Sequence, residues 1–591
     1  MLPAPDKPDL LQNHRKEHIA MNTPVIETAL FEASLFDELE PLFPDTNPRE
    51  GKSWGQSSLH QRSLHTVAAA SGTYAGVHIL LTGLTPGKCV SVEILPPQRA
   101  SVSSDTEGNR TEHSVPDHRY KLFELLPLPV EANTGAVSRT EWMDGQANLD
   151  VIRRAPFTVY DVLKPCTNVL TARGAVMALA FRCKVDSIRR ETKKWSLLLT
   201  HDGISRKLDF LVEVFPVKVP EAGAADHKYV NWFSHRGIAD YHNAPLFSDE
   251  WYKMYELYLK LGKYGRQNMA LVGAELFFDL EKGRPVLNES KLDRLMEIYN
   301  RVGIHWLEGG HLTGRKDGEW EATHAETVFT HRPIPGEGEA ELADMGQQIF
   351  AYLQKHGLTE RWIQSLMDEP LDCMADTYKR SLEILKSAMP GIPLLDASIA
   401  RETIAGNLDY WCPTANKYEK YQEFFDGRYE KGDHIFVYTC LDPAGSFCNR
   451  MLDQERLRQV WIGWAPALYP KIEGYLHWGG MSMEGFDPYY LAAPLPEITD
   501  YESSRSGVLP AGDAAIMYPG FHQVYSSTRL EAYRMGFEDL VLLQRLQERE
   551  PGWVDALVRQ VFRGYDDYEK DVEQYRKIRR ILLEKASAVF F

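Results

Sequence analysis

No stretch of the 591-residue sequence approaches the ~20 consecutive apolar residues that a bilayer-spanning helix needs, so none is expected. Residues 1–21 are polar and carry Pro3, Pro5 and Pro8 without an apolar core, so no secretory signal is expected either. Lys and Arg form no extended run, and the formal net charge is −17. Nucleic acid and anionic membrane are therefore poor partners, because both must be met by clustered cations. The seven cysteines are odd in number and show no CxxC spacing, which points to reduced thiols rather than a disulfide frame or a zinc site. There is no GxGxxG after a strand, no Walker loop, and no GxSxG elbow set between a strand and a helix. HxH and HExxH are missing too, so neither metal nor cofactor is expected. Together these absences describe a soluble, cytoplasmic protein acting on a small molecule, with association of copies left open.

What is present is length, and a change of grammar along it. A chain of 591 residues exceeds one hydrophobic core, so several domains are expected. Residues 1–23 read as a flexible lead. Over 24–222, short apolar runs at 77–81, 89–95, 120–128, 157–163, 176–183, 195–199 and 208–219 alternate with turn-rich segments. Leu208, Phe210, Val212 and Val214 alternate with Asp209, Leu211 and Glu213, which puts most apolar groups on one face of a strand. An antiparallel β-sandwich in an accessory role follows.

From 223 to 549 strands alternate with helices. Strands are expected at 229–233, 268–276, 303–309, 362–367, 393–396, 409–412, 434–439 and 474–478. Ser248 caps one helix, and a stripe from Leu292 to Val302 is stopped by Gly303. Further stripes run Leu342–Met345–Ile349–Leu353, Tyr378–Leu382–Leu385 and Leu457–Val460–Trp461–Trp464–Leu468. Eight alternations over about 300 residues predict a (β/α)8 barrel rather than an open doubly wound sheet. A C-terminal helical extension completes the chain over 550–591.

In such a barrel the chemistry gathers where the strands end at the C-terminal face. The fourth strand ends in Leu366-Met367-Asp368-Glu369-Pro370. Two adjacent carboxylates after an apolar strand raise at least one pKa, which is what a general acid working near neutrality needs. The other ends supply Trp306, Glu308 and His311, Asp396, Tyr410 and Trp411, Tyr438 and Asp442, and His477 and Trp478. Two acids with aromatic walls and hydrogen-bonding groups suit a sugar.

The segment Gly512-Asp513-Ala514-Ala515-Ile516-Met517-Tyr518-Pro519-Gly520 precedes Ser526-Ser527-Thr528-Arg529-Leu530-Glu531-Ala532-Tyr533-Arg534-Met535-Gly536-Phe537-Glu538-Asp539. With Asp368-Glu369-Pro370, Arg266-x-Asn268 and the Trp461/Trp464 segment, it resembles the domain of unknown function 4091 group, which contains glycoside hydrolase family 123. The resemblance spans roughly 225–550, and Ala514 and Met535 stand where that group has Gly and Asp. It implies a retaining β-N-acetylgalactosaminidase in which the substrate's own 2-acetamido oxygen attacks the anomeric carbon. On that resemblance Glu369 is the acid and Asp368 orients the acetamido N–H. Tyr438 binds the acetamido carbonyl, Trp478 floors the sugar site and Asp513 holds hydroxyls. Asn268, Trp306, Glu308, His311, Asp396, Trp411 and His477 complete the expected binding set, while Arg529 is expected to be structural. Two alternatives stay open. One is a glycosidase for a sugar without the acetamido group, pairing Glu369 with Glu308 or Asp396. The other is a catalytically silent carbohydrate-binding protein.

Overall fold

The computed structural model describes residues 30–45, 65–99, 120–141, 145–482, 488–489 and 509–590. The expected lead at 1–23 lies outside them.

Two sheets form the N-terminal part. One orders Glu32–Phe36, Tyr74–Thr82, Met177–Lys184, Tyr120–Val130 and Phe157–Pro165, and the other orders His65–Ser71, Ile204–Lys218, Glu191–His201, Cys89–Arg99 and Val169–Thr171. Alternation decides the packing. Phe210, Val212 and Val214 bury against Phe181, Leu179 and Val77 of the facing sheet, forming a sandwich core. Two expectations need correcting. His65–Ser71 runs parallel to Ile204–Lys218, so the sandwich is not wholly antiparallel. The late hairpin of Tyr518–Gly520 and Gln523–Ser527 joins the first sheet, with Ser526 opposite Leu163, so the sandwich is not confined to 24–222.

The eight expected barrel strands all form. They are Lys228–Phe233, Met269–Val272, Trp306–Gly309, Trp362–Ser365, Leu394–Ala397, Tyr410–Cys412, His434–Tyr438 and Ile472–Met481, and they hydrogen-bond in parallel in the order one, eight, seven, six, five, four, three, two. The ladder is nearly closed. Asn268 completes the seam: its backbone N–H donates to the Tyr229 carbonyl at 3.2 Å, and its side-chain oxygen accepts the Tyr229 N–H at 2.9 Å. Helices cover the outside. Ser248 caps Asp249–Tyr264 through the Trp251 N–H, and Gly303 ends Glu289–Val302 with φ of 84°, a left-handed C-cap that glycine adopts without strain. The fifth crossover carries only the short 3-10 turn Glu402–Ile404, so the helical ring is incomplete there.

The C-terminal helices tie the two parts together. Arg579 of Val572–Phe590 bonds Asp539 at 2.8 Å and the Ala68 carbonyl at 2.5 Å, while Arg576 bonds Asp37 at 2.7 Å. Removing one partner of such a buried pair would strand a charge, so these bonds fix how the parts dock.

Candidate active site

The end of the fourth strand is held from beneath. The N–H groups of Leu366 and Met367 donate to Asp396 Oδ1 at 3.2 and 3.1 Å, and the Tyr378 hydroxyl donates to Asp396 Oδ2 at 2.5 Å. The buried carboxyl of the fifth strand thus positions the segment that carries the acid pair. Glu369 itself is left-handed, with φ of 49°, a conformation that costs a non-glycine residue about 1 kcal/mol or more. Its N–H donates to the Ala397 carbonyl at 3.0 Å, its carbonyl accepts Arg315 Nη2 at 2.6 Å, and its Oε1 accepts the Tyr438 hydroxyl. Strain held by three anchors is a mark of a functional position.

Both carboxyls are pushed above their ordinary range. For Asp368 the cause is desolvation, opposed by Arg315. For Glu369 it is desolvation followed by the Asp368 charge, opposed by the Tyr438 hydrogen bond and Arg315. Asp368 is exposed to solvent. The protein atoms packed around its carboxyl nevertheless leave the charged form poorly solvated. A cavity of about 510 Å³ opens beside Glu369 and Tyr438.

The strand ends bring several of the expected residues to this mouth. Glu308 accepts Trp232 Nε1 at 2.9 Å and Ser365 Oγ at 3.1 Å, and desolvation pushes it to about 7, with Asp368 adding to the rise. His311 lies 3.9 Å from Asp396 and is pulled down to about 4 by burial. On the eighth strand His477 sits 3.4 Å from Asp513, both fully buried. Burial drives His477 well down, so it is neutral there, and pushes Asp513 up to about 7 against Arg450, the Trp478 indole and Arg529. Burial pushes the Cys440 thiol well up, with the charges of Asp513 and Glu369 adding to the rise.

Arg529 plays the structural part expected of it. It bonds Asp161 at 3.0 Å and the carbonyls of Gly512 and Ala515 at 2.6 and 2.8 Å, fixing the loop that carries Asp513. That loop also requires Gly479, where a Cβ would lie 2.2 Å from the Asp513 carbonyl oxygen.

Three expected binders stand elsewhere and leave the set. Asn268 is used in the barrel seam, donating also to the Gly223 carbonyl at 2.8 Å. Trp306 opens the third strand at its far end, where its indole donates to the Ala224 carbonyl at 3.1 Å. Trp411 is fully buried, bonded to Asp433 at 2.7 Å and packed on Phe424 of the helical layer. Conversely, Arg315, Trp232 and Glu275 were not foreseen. Glu275 follows the second strand, pairs with His235 at 3.0 Å and is lowered overall, its desolvation outweighed by His235. The second strand stops at Val272, and a 3-10 turn from Ala274 to Leu276 presents that carboxylate, whereas a strand drawn to 276 hides it.

The buried Glu308 allows a direct check. Folding raises its pKa from 4.5 to about 7, so its contribution to stability is full below about pH 4.5 and is lost as pH rises through 7. Glu308→Gln cannot ionise, so its melting temperature is expected to gain on the wild type as pH climbs from 5 to 8. In free energy of unfolding the difference should reach on the order of 3 kcal/mol at most. A gap that stays constant with pH would contradict this account.

Residues 280–546 match the family described as Glycoside hydrolase 123, catalytic domain. Among solved structures, a family 123 glycoside hydrolase from Clostridium perfringens, described in connection with glycolipid glycan hydrolysis, superposes with a TM-score of 0.66 at 13% identity, covering 95% of this chain and 98% of that one. That likeness establishes the fold. A Parabacteroides merdae β-glucuronidase (8% identity, 78% and 50% covered, TM-score 0.31) and a Rhizomucor miehei family 5 mannosidase (12%, 56% and 98%, 0.32) are far weaker matches and carry no weight. No curated protein matches the chain.

Proposed function

We propose that this chain, a glycoside hydrolase by its family 123 catalytic domain, is a retaining exo-β-N-acetylgalactosaminidase that uses the substrate's acetamido group as nucleophile. The observation that carries the reading is the adjacency of Asp368 and Glu369 on one anchored turn, both raised in pKa. A protein nucleophile would need a carboxylate about 5–5.5 Å from the acid, on the opposite face of the sugar. Neighbours on a single turn are badly placed to straddle a ring, but they can serve two atoms on one side of it.

In this reading Glu369, protonated near neutrality, delivers its proton to the glycosidic oxygen as the bond to the anomeric carbon breaks. The acetamido oxygen forms the new bond to that carbon, giving an oxazolinium ion. Asp368, ionised, accepts the acetamido N–H and offsets its growing positive charge. The Glu369 carboxylate then takes a proton from the water that opens the ring, and two inversions give net retention. Two faces of the cleft support this division. Glu308 and Asp396, the partners a direct nucleophilic mechanism would call on, already bind Trp232, Ser365, Tyr378 and backbone N–H groups. Glu275 is ionised and bound to His235, which suits a contact to sugar hydroxyls. Among the described residues no helix is long and apolar enough to cross a membrane; short oligosaccharides in the cytoplasm are the proposed substrates.

A thiazoline analogue of the oxazolinium ion is expected to inhibit competitively, with tighter binding than the product sugar, and proton NMR should report the β-anomer first. Inversion, or trapping of a covalent sugar on Glu275, Glu308 or Asp396, would overturn the assisted mechanism. Tyr438→Phe is expected to lower kcat about 10- to 100-fold, because the bond that holds Glu369 in its working orientation is removed. Because that bond opposes the rise in the Glu369 pKa, its loss should also move the alkaline limb of the profile to higher pH. An unchanged kcat would deny the role.

A further inference from the structure

The cavity beside Glu369 is lined by Glu369 and Tyr438 but, among the described residues, not by Asp368, Trp478 or Asp513. It therefore lies on the acid's side of the scissile bond, where the leaving group departs. Its chemistry runs against the rest of the molecule. The chain carries a net −17, yet Arg139, Arg401 and Lys417 converge on this one hollow. Arg139 comes from the N-terminal part, which gives that part a share in the site.

These cations have little protein charge to answer. No carboxylate lies within 4.0 Å of Arg139 or Lys417 among the described residues, and Arg401 meets only the exposed Glu402, at 3.6 Å. Arg401 instead places its Cζ over the Tyr421 ring, 3.6 Å from the centroid, and its Nε has no hydrogen-bond partner among the described residues. Stacking leaves a guanidinium edge free for an anion. Asp442 is the other acid facing the hollow. It is raised by burial, Asn416 Nδ2 donates to it at 3.4 Å, and Lys417 acts on it only at longer range. A second observation points to a ligand. Ser398, only 5% exposed, lines the same hollow, and its buried Oγ has no hydrogen-bond partner among the described residues. A buried hydroxyl without a partner costs about 1–3 kcal/mol, which a bound polar ligand would recover.

We infer that the leaving-group subsite of this enzyme receives an anionic sugar, one bearing a carboxylate or a sulfate, held by Arg139, Arg401 and Lys417. The inference rests on the hydrolase reading for the direction of departure, but the binding site stands on its own residues. The preference for an anion falls off with salt, since Lys417 is exposed and screened.

Glucuronate, galactose 6-sulfate and glucose titrated calorimetrically into the full chain give the test. At least one anionic sugar is expected to bind about tenfold or more tightly than glucose, as a charge-assisted contact warrants. The better of the two identifies carboxylate or sulfate as the group selected. In the Arg139→Gln/Lys417→Gln double variant the ratio should fall toward one, and the Arg401→Gln variant should reduce it separately, each with its melting transition intact. Equal binding of all three sugars by the wild type, or a ratio untouched in the double variant, would overturn the inference. The kcat/KM for N-acetylgalactosaminyl-β1,4-glucuronate should likewise exceed that for the matching glucose disaccharide. Turnover of aryl β-N-acetylgalactosaminide by the same preparation separates the two claims. Its absence with anion binding retained strikes the sugar assignment, and its presence without anion preference strikes only the subsite.

Discussion

Glu369→Gln is expected to lower kcat/KM on a disaccharide substrate by about a hundred- to ten-thousandfold, the range a positioned general acid supplies. The loss should shrink on aryl glycosides whose leaving groups need no proton. The variant should also change the shape of the pH profile. Desolvation and the neighbouring Asp368 hold the Glu369 pKa up, so the wild type loses activity as pH rises through that raised value. Gln has no proton to lose, so the alkaline limb should vanish from the residual rate. Stability points the same way: ionising a carboxyl whose folded pKa is raised costs folding free energy at high pH, so Glu369→Gln should be no less stable than the wild type at pH 8. A variant that is inactive because it unfolds would fail that check.

Asp368→Asn is expected to cost about a hundred- to a thousandfold in kcat with a small effect on KM, because its charge matters where positive charge develops. Asn keeps a hydrogen-bond acceptor for the acetamido N–H but no charge, which separates electrostatics from orientation. The acidic limb of the profile should disappear, since no residue at that position then needs to ionise. The alkaline limb should move toward lower pH as well, because the Asp368 charge is one cause of the raised Glu369 value. An alkaline limb that stays in place would mean the two carboxyls do not sense each other.

The barrel was legible because its strands are short apolar runs with clear ends, and the acid pair because Pro370 and the lead Leu366-Met367 mark a strand mouth. The resemblance through 512–539 pointed to the same family that the catalytic-domain match reports for 280–546. What sequence obscured has physical causes. Asn268 and Trp306 lie at the starts of strands, and a residue next to an apolar run does not declare which end of the barrel it occupies. Trp411 lies in the three-residue strand Tyr410–Cys412, too short for alternation to fix which side chain points outward. Arg315 reaches the mouth from the short strand Thr313–Arg315 of a small separate sheet, and Arg139 from the N-terminal part, contacts that only the folded chain creates. The late hairpin reads as part of the barrel region by position, yet its edge is completed by Phe157–Pro165, hundreds of residues earlier.

The most direct measurement compares kcat/KM for two aryl β-glycosides that share one leaving group and differ only at C2 of the sugar: N-acetylgalactosamine and galactose. An internal nucleophile steadied by Asp368 predicts turnover of the first and a rate near background for the second. Comparable turnover of both would contradict it, and would mean that a carboxylate of the protein attacks the sugar instead.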